Sequence, residues 1–410
     1  MKEVAVNSDW NKDYETYKNL FQTHRFPLAF VDLDKFDRNI AYVAGTQANT
    51  GKTIRVASKS IRCLDLLQRV FEKGRGVFQG ILAFTMEEAA FLNDNGLDDI
   101  IVAYPSVQPS DMAIFAQKIR CGAKISLVVD CLDHLKVLSA TGEKEGLVLP
   151  LCLDIDMSYR PLDLSAHMGV RRSPVHSVTQ ALALARAANN HPGVKITAVM
   201  GYEAQIASMN DNYPAKGFKN KLIRLFKQQS VKELTHRRKM IVDKLKAEGL
   251  ALTVVNGGGS GSLISTGRDS SVTEVTAGSA FFAPGLFRYF HEVAFEPAAF
   301  FALQVTRIPA PGMVTCQGGG YVGSGEVNVN RLPWPVMPQG LEYLPMEGAG
   351  EVQTPLKLPK DCPLALGDPV FFQHAKAGEL CERFNQLYLV KKNKIIGSTP
   401  TYRGQGYSFL

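Results

Sequence analysis

Lys59 closes an apolar, β-branched run, TIRVASKSIR (Thr53 to Arg62), and a helical pattern, CLDLLQRVFEK, follows it. A lysine where a strand stops stands where barrel enzymes project catalytic side chains. In a dry pocket its amine can condense with a carbonyl cofactor to a Schiff base. A solvated strand-end lysine is the plain alternative. Asn256 to Ser262 (NGGGSGS) follows another apolar run, LTVV, and Gly278-Ser279 ends the next. Glycines let the backbone approach a ligand, and successive N–H groups form an anion nest. Gly258, Gly259, Ser260, Gly278 and Ser279 are therefore candidate phosphate contacts, with a flexible turn as the alternative. The spacing is neither GxGxxG nor GxxxxGK[ST], so neither nucleotide fingerprint applies. In a barrel the last two strand ends are neighbours, and phosphate sites often sit there.

Three other groupings carry chemistry. Asp154 and Asp156, two apart in LCLDIDMSYR, could bind a metal, hold a base, or pair with Arg160 or Arg171. Tyr202 and Glu203 end the run VKITAVMG; an aromatic ring at a barrel mouth packs on a planar cofactor or simply fills the core. His374, Lys376, Glu379 and Cys381 lie within FFQHAKAGELCERF. Those types can build a metal site, though a lone histidine in a β-module is more often structural. Cys381 has no defensible His or Asn partner for a nucleophilic role.

The elements that must position these residues show a repeating pattern. From Phe26 to about Phe282 short apolar runs alternate with amphipathic stretches: FPLAFVDL, TIRVAS, GILAFT, DIIVAYP, KISLVVD, LPLCLDID, VKITAVMG, LTVVNGGG and VTEVTAGSAFF. Repeated βα units with near-continuous apolar strands predict an α/β protein with a parallel sheet, and eight of them close a (β/α)8, TIM-type barrel. Nine candidate strands leave one outside the barrel, and FPLAFVDL is that strand. Asp34, Thr85 and Asp130 stand where helix N-caps are expected. After Pro284 helical periodicity fades, Gly and Pro become dense, and short runs such as FALQVTRI and QLYLVKKNKIIG predict a C-terminal all-β domain. The expected segments are a polar N-terminal stretch (1–27), the barrel (28–290) and the β-domain (291–410).

The 410 residues are 45% hydrophobic and 21% charged with net charge +7, enough for a barrel plus a second module. The positive charge is spread out, and the basic stretch from Lys216 to Lys227 reads as the wet face of a helix, so no nucleic-acid partner is expected. There is no apolar run of membrane-spanning length, so no membrane role is expected. Seven scattered cysteines with no CxxC pair argue against a disulfide framework, and a cytoplasmic location is expected.

Together these motifs resemble the fold-type III pyridoxal-phosphate enzymes of the alanine racemase N-terminal barrel superfamily, in the branch of D-threonine aldolases, D-serine dehydratases and 3-hydroxyaspartate-cleaving enzymes. FPLAFVDLDKFDRNI resembles the family's opening and TIRVASKSIR its Arg-x-x-x-Lys strand. TMEEAAFLNDNGLDDIIVAYP resembles its Gly-x-x-Asp-Ile-x-x-Ala-Tyr segment, VMGYEAQ its Tyr-Glu segment, and NGGGS and TEVTAGS its two phosphate turns. The resemblance implies pyridoxal 5′-phosphate on Lys59, a cofactor-adjacent role for Tyr202, and phosphate contacts from Gly258, Gly259, Ser260, Gly278 and Ser279. It implies a lyase acting on D- or β-hydroxy amino acids, by aldol cleavage to glycine and an aldehyde or by dehydration and deamination to a keto acid. An amino acid racemase and a non-catalytic pyridoxal-phosphate carrier are the alternatives, and a phosphosugar-binding barrel enzyme is the reading without that cofactor. A homodimer is implied, with one subunit's β-domain over its partner's barrel mouth.

Two departures stand out. His374 matches the first member of the family's metal pair, His-x-Asp or His-x-Cys, and so takes a catalytic role near the substrate. Lys376 occupies the second position. Either Glu379 or Cys381 completes a divalent metal site, or no metal binds and the Lys376 ammonium takes over its electrostatic role. In SYRPLDLSAHMGVRRSP, His167 stands where an arginine is usual, and Arg171 lies two residues past Gly169.

Overall fold

Eight apolar runs pair side by side and close on themselves in the computed structural model, which describes residues 10–410 apart from 75, 162–165 and 327. After β1 (Leu28–Asp32), the barrel strands are β2 (Thr53–Ala57), β3 (Phe78–Ala83), β4 (Ile100–Val102), β5 (Ile125–Val129), β6 (Leu149–Asp154), β7 (Val194–Gly201), β8 (Val254–Gly257) and β9 (Glu274–Ala277). All eight neighbouring pairs are parallel, and β9 closes on β2. The fold is a TIM-type barrel with a C-terminal β-domain.

The second sheet draws on both ends of the chain. Its later strands are β10 (Ala299–Ala310), β11 (Met313–Gln317), β12 (Trp334–Met337), β13 (Glu342–Tyr343), β14 (Gln353–Lys357), β15 (Pro369–Gln373), β16 (Gln386–Lys391) and β17 (Lys394–Pro400). Strand β1 lies between β10, antiparallel, and β16, parallel. The segment expected as 28–290 thus opens with a strand that pairs outside the barrel. The helix Trp10–Phe21 packs on the same sheet: Tyr17 lies 4.7 Å from Phe30, and Trp10 5.9 Å from Phe300, between ring centroids. Among the described residues no helix is long and apolar enough to cross a membrane.

Two expected caps move by a residue or two. Asp32, not Asp34, caps the helix Leu33–Gly45, accepting from the N–H groups of Asp34 and Lys35 (both 3.0 Å). As the last residue of β1 it has the extended backbone an N-cap needs. Thr85 caps its helix as expected, whereas Cys131 occupies the cap position expected for Asp130.

The barrel interior beneath the Lys59 turn is polar but paired. Arg55, 1% exposed, donates to Glu274 Oε1 at 2.5 Å and to the Asp99 carbonyl at 2.5 Å. Asn256 joins Glu274 (2.8 Å) to Thr276 (2.9 Å). Gly80 makes room for this guanidinium: an added Cβ would lie 2.2 Å from Arg55 Nη1. The network ties β2, β8 and β9, the strands that carry Lys59 and the two glycine turns, into one rigid wall.

The C-terminal domain also grips the Lys59 turn. Arg62 has φ 49°, a left-handed conformation uncommon outside glycine. Its N–H donates to Ser58 O (2.9 Å), its carbonyl accepts from Tyr402 N–H (2.9 Å), and its guanidinium pairs with Glu382. The Tyr402 hydroxyl donates to Glu88 Oε1 (3.0 Å), and Cys381 Sγ to Ile61 O (3.0 Å).

Glu88 is fully buried, and burial pushes its carboxyl up from 4.5 to about 7, against the pull of the Phe84 N–H and other donors. Below pH 4.5 folded and unfolded states both hold the proton. Between 4.5 and 7 only the folded state does, so stability is lost as pH rises through this window. Glu88→Gln, which stays neutral, is expected to flatten the fall in Tm between pH 5 and 8. Parallel Tm–pH curves for the two proteins would contradict this.

Candidate functional site

Lys59 sits in a single helical turn, Ser58–Ser60, directly after β2. Its Nζ donates to the Tyr104 hydroxyl at 3.0 Å, and among the described residues it has no carboxylate partner. Tyr104 follows β4. Burial pushes its phenol up, but the Lys59 and Arg172 cations outweigh burial and hold it below its ordinary value. The Arg172 guanidinium lies 5.2 Å from the Tyr104 ring centroid and 5.1 Å from that of Tyr202. The Tyr202 hydroxyl is hydrogen-bonded to Ser208 (2.8 Å).

The two glycine–serine turns meet in the wall of the same cavity. Ser260 Oγ accepts from the N–H groups of Gly278 (3.2 Å) and Ala280 (3.0 Å), stitching the turn after β8 to the turn after β9. Ser60 Oγ and Ser279 Oγ are 3.3 Å apart, which brings the Lys59 turn into the group. Gly258 has φ +81°, a conformation that favours glycine. An added Cβ at Gly278 would lie 2.7 Å from Ser60 Oγ and 2.8 Å from Ala57 Cβ. Lys59, Tyr202, Gly258, Gly259, Ser260, Gly278 and Ser279 all line this one cavity, of about 110 Å³. Its wall combines an amine and a planar aromatic ring with close-approach backbone and hydroxyls.

His374 does not line that cavity. It follows β15, 3% exposed, with its ring 6.0 Å from that of Phe282. Burial pulls its imidazole down to about 4 against a weak pull from the Ala299 backbone, so it is neutral, and neither ring nitrogen makes a well-formed hydrogen bond. The other residues of its segment are engaged elsewhere. Cys381 is buried with its thiol pushed well up. Glu379 accepts from the Ser324 N–H (2.8 Å) and hydroxyl. The only set of three candidate donors among the described residues is Asp130, Cys131 and His134, after β5, and it excludes His374.

Asp156 pairs with Arg160 rather than Arg171 and receives the Ser158 N–H (2.8 Å). Asp154 is buried at the end of β6, and desolvation pushes its carboxyl up to about 7 against the pull of Arg172. His167 contacts the Val170 carbonyl instead of the cavity. Sequence reasoning missed Tyr104 and Arg172. Tyr104 ends the run DIIVAYP, the same strand-end position that singled out Lys59, so that signal was present. Arg172 adjoins Arg171 in a loop, where no periodicity says which of the two turns inward.

Known proteins share this architecture. The chain is 26% identical over 266 residues to 3-hydroxy-D-aspartate aldolase of Paracoccus denitrificans; the match covers 65% of this chain and 62% of that protein. Among solved structures, D-threonine aldolase from Filomicrobium marinum superposes with a TM-score of 0.78 at 20% identity, covering 93% of this chain and 96% of that one. D-threo-3-hydroxyaspartate dehydratase from Delftia sp. superposes with a TM-score of 0.73 at 20% identity, covering 93% and 98%; a variant of it has been solved in the metal-free form. Residues 31–284, most of the chain, match one family description, and the protein belongs to that family: Alanine racemase, N-terminal domain.

Proposed function

We propose that this protein is a pyridoxal 5′-phosphate-dependent lyase acting on D- or β-hydroxy amino acids, by aldol cleavage or by dehydration and deamination. One observation carries the reading: a lysine amine with no acid partner, a tyrosine wall and two glycine–serine turns share one cavity. The relatives, which are aldolases and a dehydratase, support the same reaction class. The residues suit a planar, phosphorylated aldehyde. Lys59 offers the amine, Tyr202 the flat contact, and Gly258, Gly259, Ser260, Gly278 and Ser279 the phosphate cradle, in which an added Cβ at any of the three glycines would crowd its neighbours.

When bound, the cofactor supplies an electron sink for the pair released as a bond at Cα breaks. The protein's own residues do the rest. Lys59 would hold the cofactor, and its amine, when free, would take or return the proton at Cα. Tyr104, 3.0 Å away, holds that amine in place and can relay its proton. Arg172, stacked on both tyrosines, adds positive charge beside the ring. The β-domain's grip on the Lys59 turn favours an enzyme over a bare carrier. All seven cysteines are free, in keeping with a cytoplasmic protein. We further propose an isologous dimer, expected as a single dimeric species by light scattering; a fully active monomer at micromolar concentration would refute a shared site.

Gly278→Ala tests the cradle. Its methyl must displace Ala57 or Ser60, so cofactor affinity is expected to fall by about tenfold or more, as when a close-packed contact worth 1.4 kcal/mol is lost. Titration with pyridoxal phosphate measures it, and unchanged affinity with unchanged circular dichroism would contradict the cradle. For the function itself, the visible absorbance of the holoprotein is expected to change on adding a D-β-hydroxy amino acid and not on adding a phosphosugar. A colourless protein that takes up no pyridoxal phosphate would overturn the reading.

A further inference from the structure

We propose that Lys376 is a proton donor to the substrate's β-hydroxyl, and that with it this enzyme eliminates water without a divalent metal. The inference rests on the lyase reading above. The backbone on either side of Lys376, which is not itself a lining residue, is held against the cavity wall. One residue before it, the Ala375 carbonyl accepts from the N–H of Leu286, a cavity-wall residue (3.3 Å). Two residues after it, Gly378 lies so close to the Lys59 backbone that an added Cβ would fall 1.7 Å from the Lys59 carbonyl oxygen. The ammonium donates to Ser324 Oγ at 2.9 Å, and Glu379, 3.8 Å away, holds Ser324 by its N–H and hydroxyl. This bracket holds the ammonium and leaves N–H groups over, because an ammonium carries three donors. Lys376 also lies within electrostatic reach of Lys59 and Tyr104.

The donor set around His374 does not suit a metal. A ligand site needs lone pairs converging at about 2.0–2.3 Å. His374 is sealed against Phe282, Lys376 presents an ammonium, Cys381 is bonded to Ile61 O, and Glu379 to Ser324. Chemistry separates the two reaction branches. Aldol cleavage requires removing the proton from the β-hydroxyl, which a cation-bound oxygen favours and an ammonium does not. Dehydration requires the reverse. The proton at Cα passes to the Lys59 amine, the Cβ–O bond breaks with its electron pair on oxygen, and Lys376 gives that oxygen a proton. Water leaves, and Lys376 is left neutral until solvent reprotonates it. Hydrolysis of the product enamine then yields a 2-keto acid and ammonia.

Lys376→Ala tests the proton. On a β-hydroxy substrate kcat is expected to fall by about 10²–10⁴-fold, the usual contribution of a general acid. On β-chloroalanine, whose chloride leaves without a proton, turnover is expected to stay near the parent's. The cofactor absorbance should be unchanged, which shows that the site remains assembled. Equal losses on both substrates, or no loss on either, would overturn the proposal. Elemental analysis is the readout independent of activity: the wild-type holoprotein, after chelator treatment, is expected to hold far less than one metal ion per chain and to keep its activity. A stoichiometric metal whose removal abolishes turnover and whose return restores it would also overturn the proposal. A wild-type protein that makes no product from any β-hydroxy amino acid refutes instead the lyase reading on which this rests.

Discussion

Lys59→Ala is expected to abolish turnover and to leave no lysine that borohydride can fix to pyridoxal phosphate. Among the described residues Lys59 is the one amine lining the cavity, it faces a phenol and no carboxylate, and its turn is held by both domains. Removing the covalent anchor also removes the base for the Cα proton, so the loss should reach about 10⁴-fold or more, as when an enzyme loses its nucleophile. Phosphate contacts survive, so the variant should still bind the cofactor reversibly. In the wild type, peptide mapping after reduction should find the label on Lys59. A label on another lysine, or a variant that is still fixed covalently, would show that this residue is not the anchor.

Arg238→Met is expected to destabilise the fold by about 3–5 kcal/mol, the cost of breaking a buried ion pair from one side. Arg238 is 1% exposed and lies between Glu203 and Asp269, themselves 0% and 1% exposed. It pairs with Glu203, donates to Asp269 Oδ2 at 2.8 Å and to the Gly201 carbonyl at 3.2 Å. Methionine of similar length leaves two carboxylates buried without a counter-charge. Because Glu203 adjoins Tyr202 and Gly201 ends β7, the damage should reach the aromatic wall and weaken cofactor binding as well. Denaturant unfolding measures the first effect and cofactor titration the second. Adding Glu203→Gln to the variant should recover part of the stability. An Arg238→Met protein as stable as its parent would mean that the charges relax into solvent and that the triad does not tie the end of β7 to the segment between β8 and β9.

The barrel was legible because each strand is an apolar run bounded by turn residues, and buried parallel strands need that pattern on both faces. The two glycine–serine turns were legible for a related reason: glycine and serine at a strand end serve few purposes besides close approach. Other features depend on contacts distant in sequence. The 1–27 stretch reads as polar, yet Tyr14, Tyr17 and Phe21 share one buried helix face against β1 and β15. Arg171 and Arg172 are indistinguishable in type, and only the stacking of Arg172 between Tyr104 and Tyr202 separates them. His374 stands out by the residue types around it and by resemblance, but where its ring goes is decided by Phe282 from the end of the barrel. The helix Gly217–Ala247 runs far beyond what its apolar pattern supports, with Phe218, Leu222 and Leu225 exposed at helical spacing.

The lyase reading is tested most directly by product analysis after the holoprotein is incubated with matched D- and L-β-hydroxy amino acids. Keto acid and ammonia from the D substrates are expected, or glycine and aldehyde if the aldol branch dominates over the Lys376 route. Formation of the opposite enantiomer alone, or recovery of every substrate unchanged by a protein carrying its full complement of pyridoxal phosphate, would contradict it.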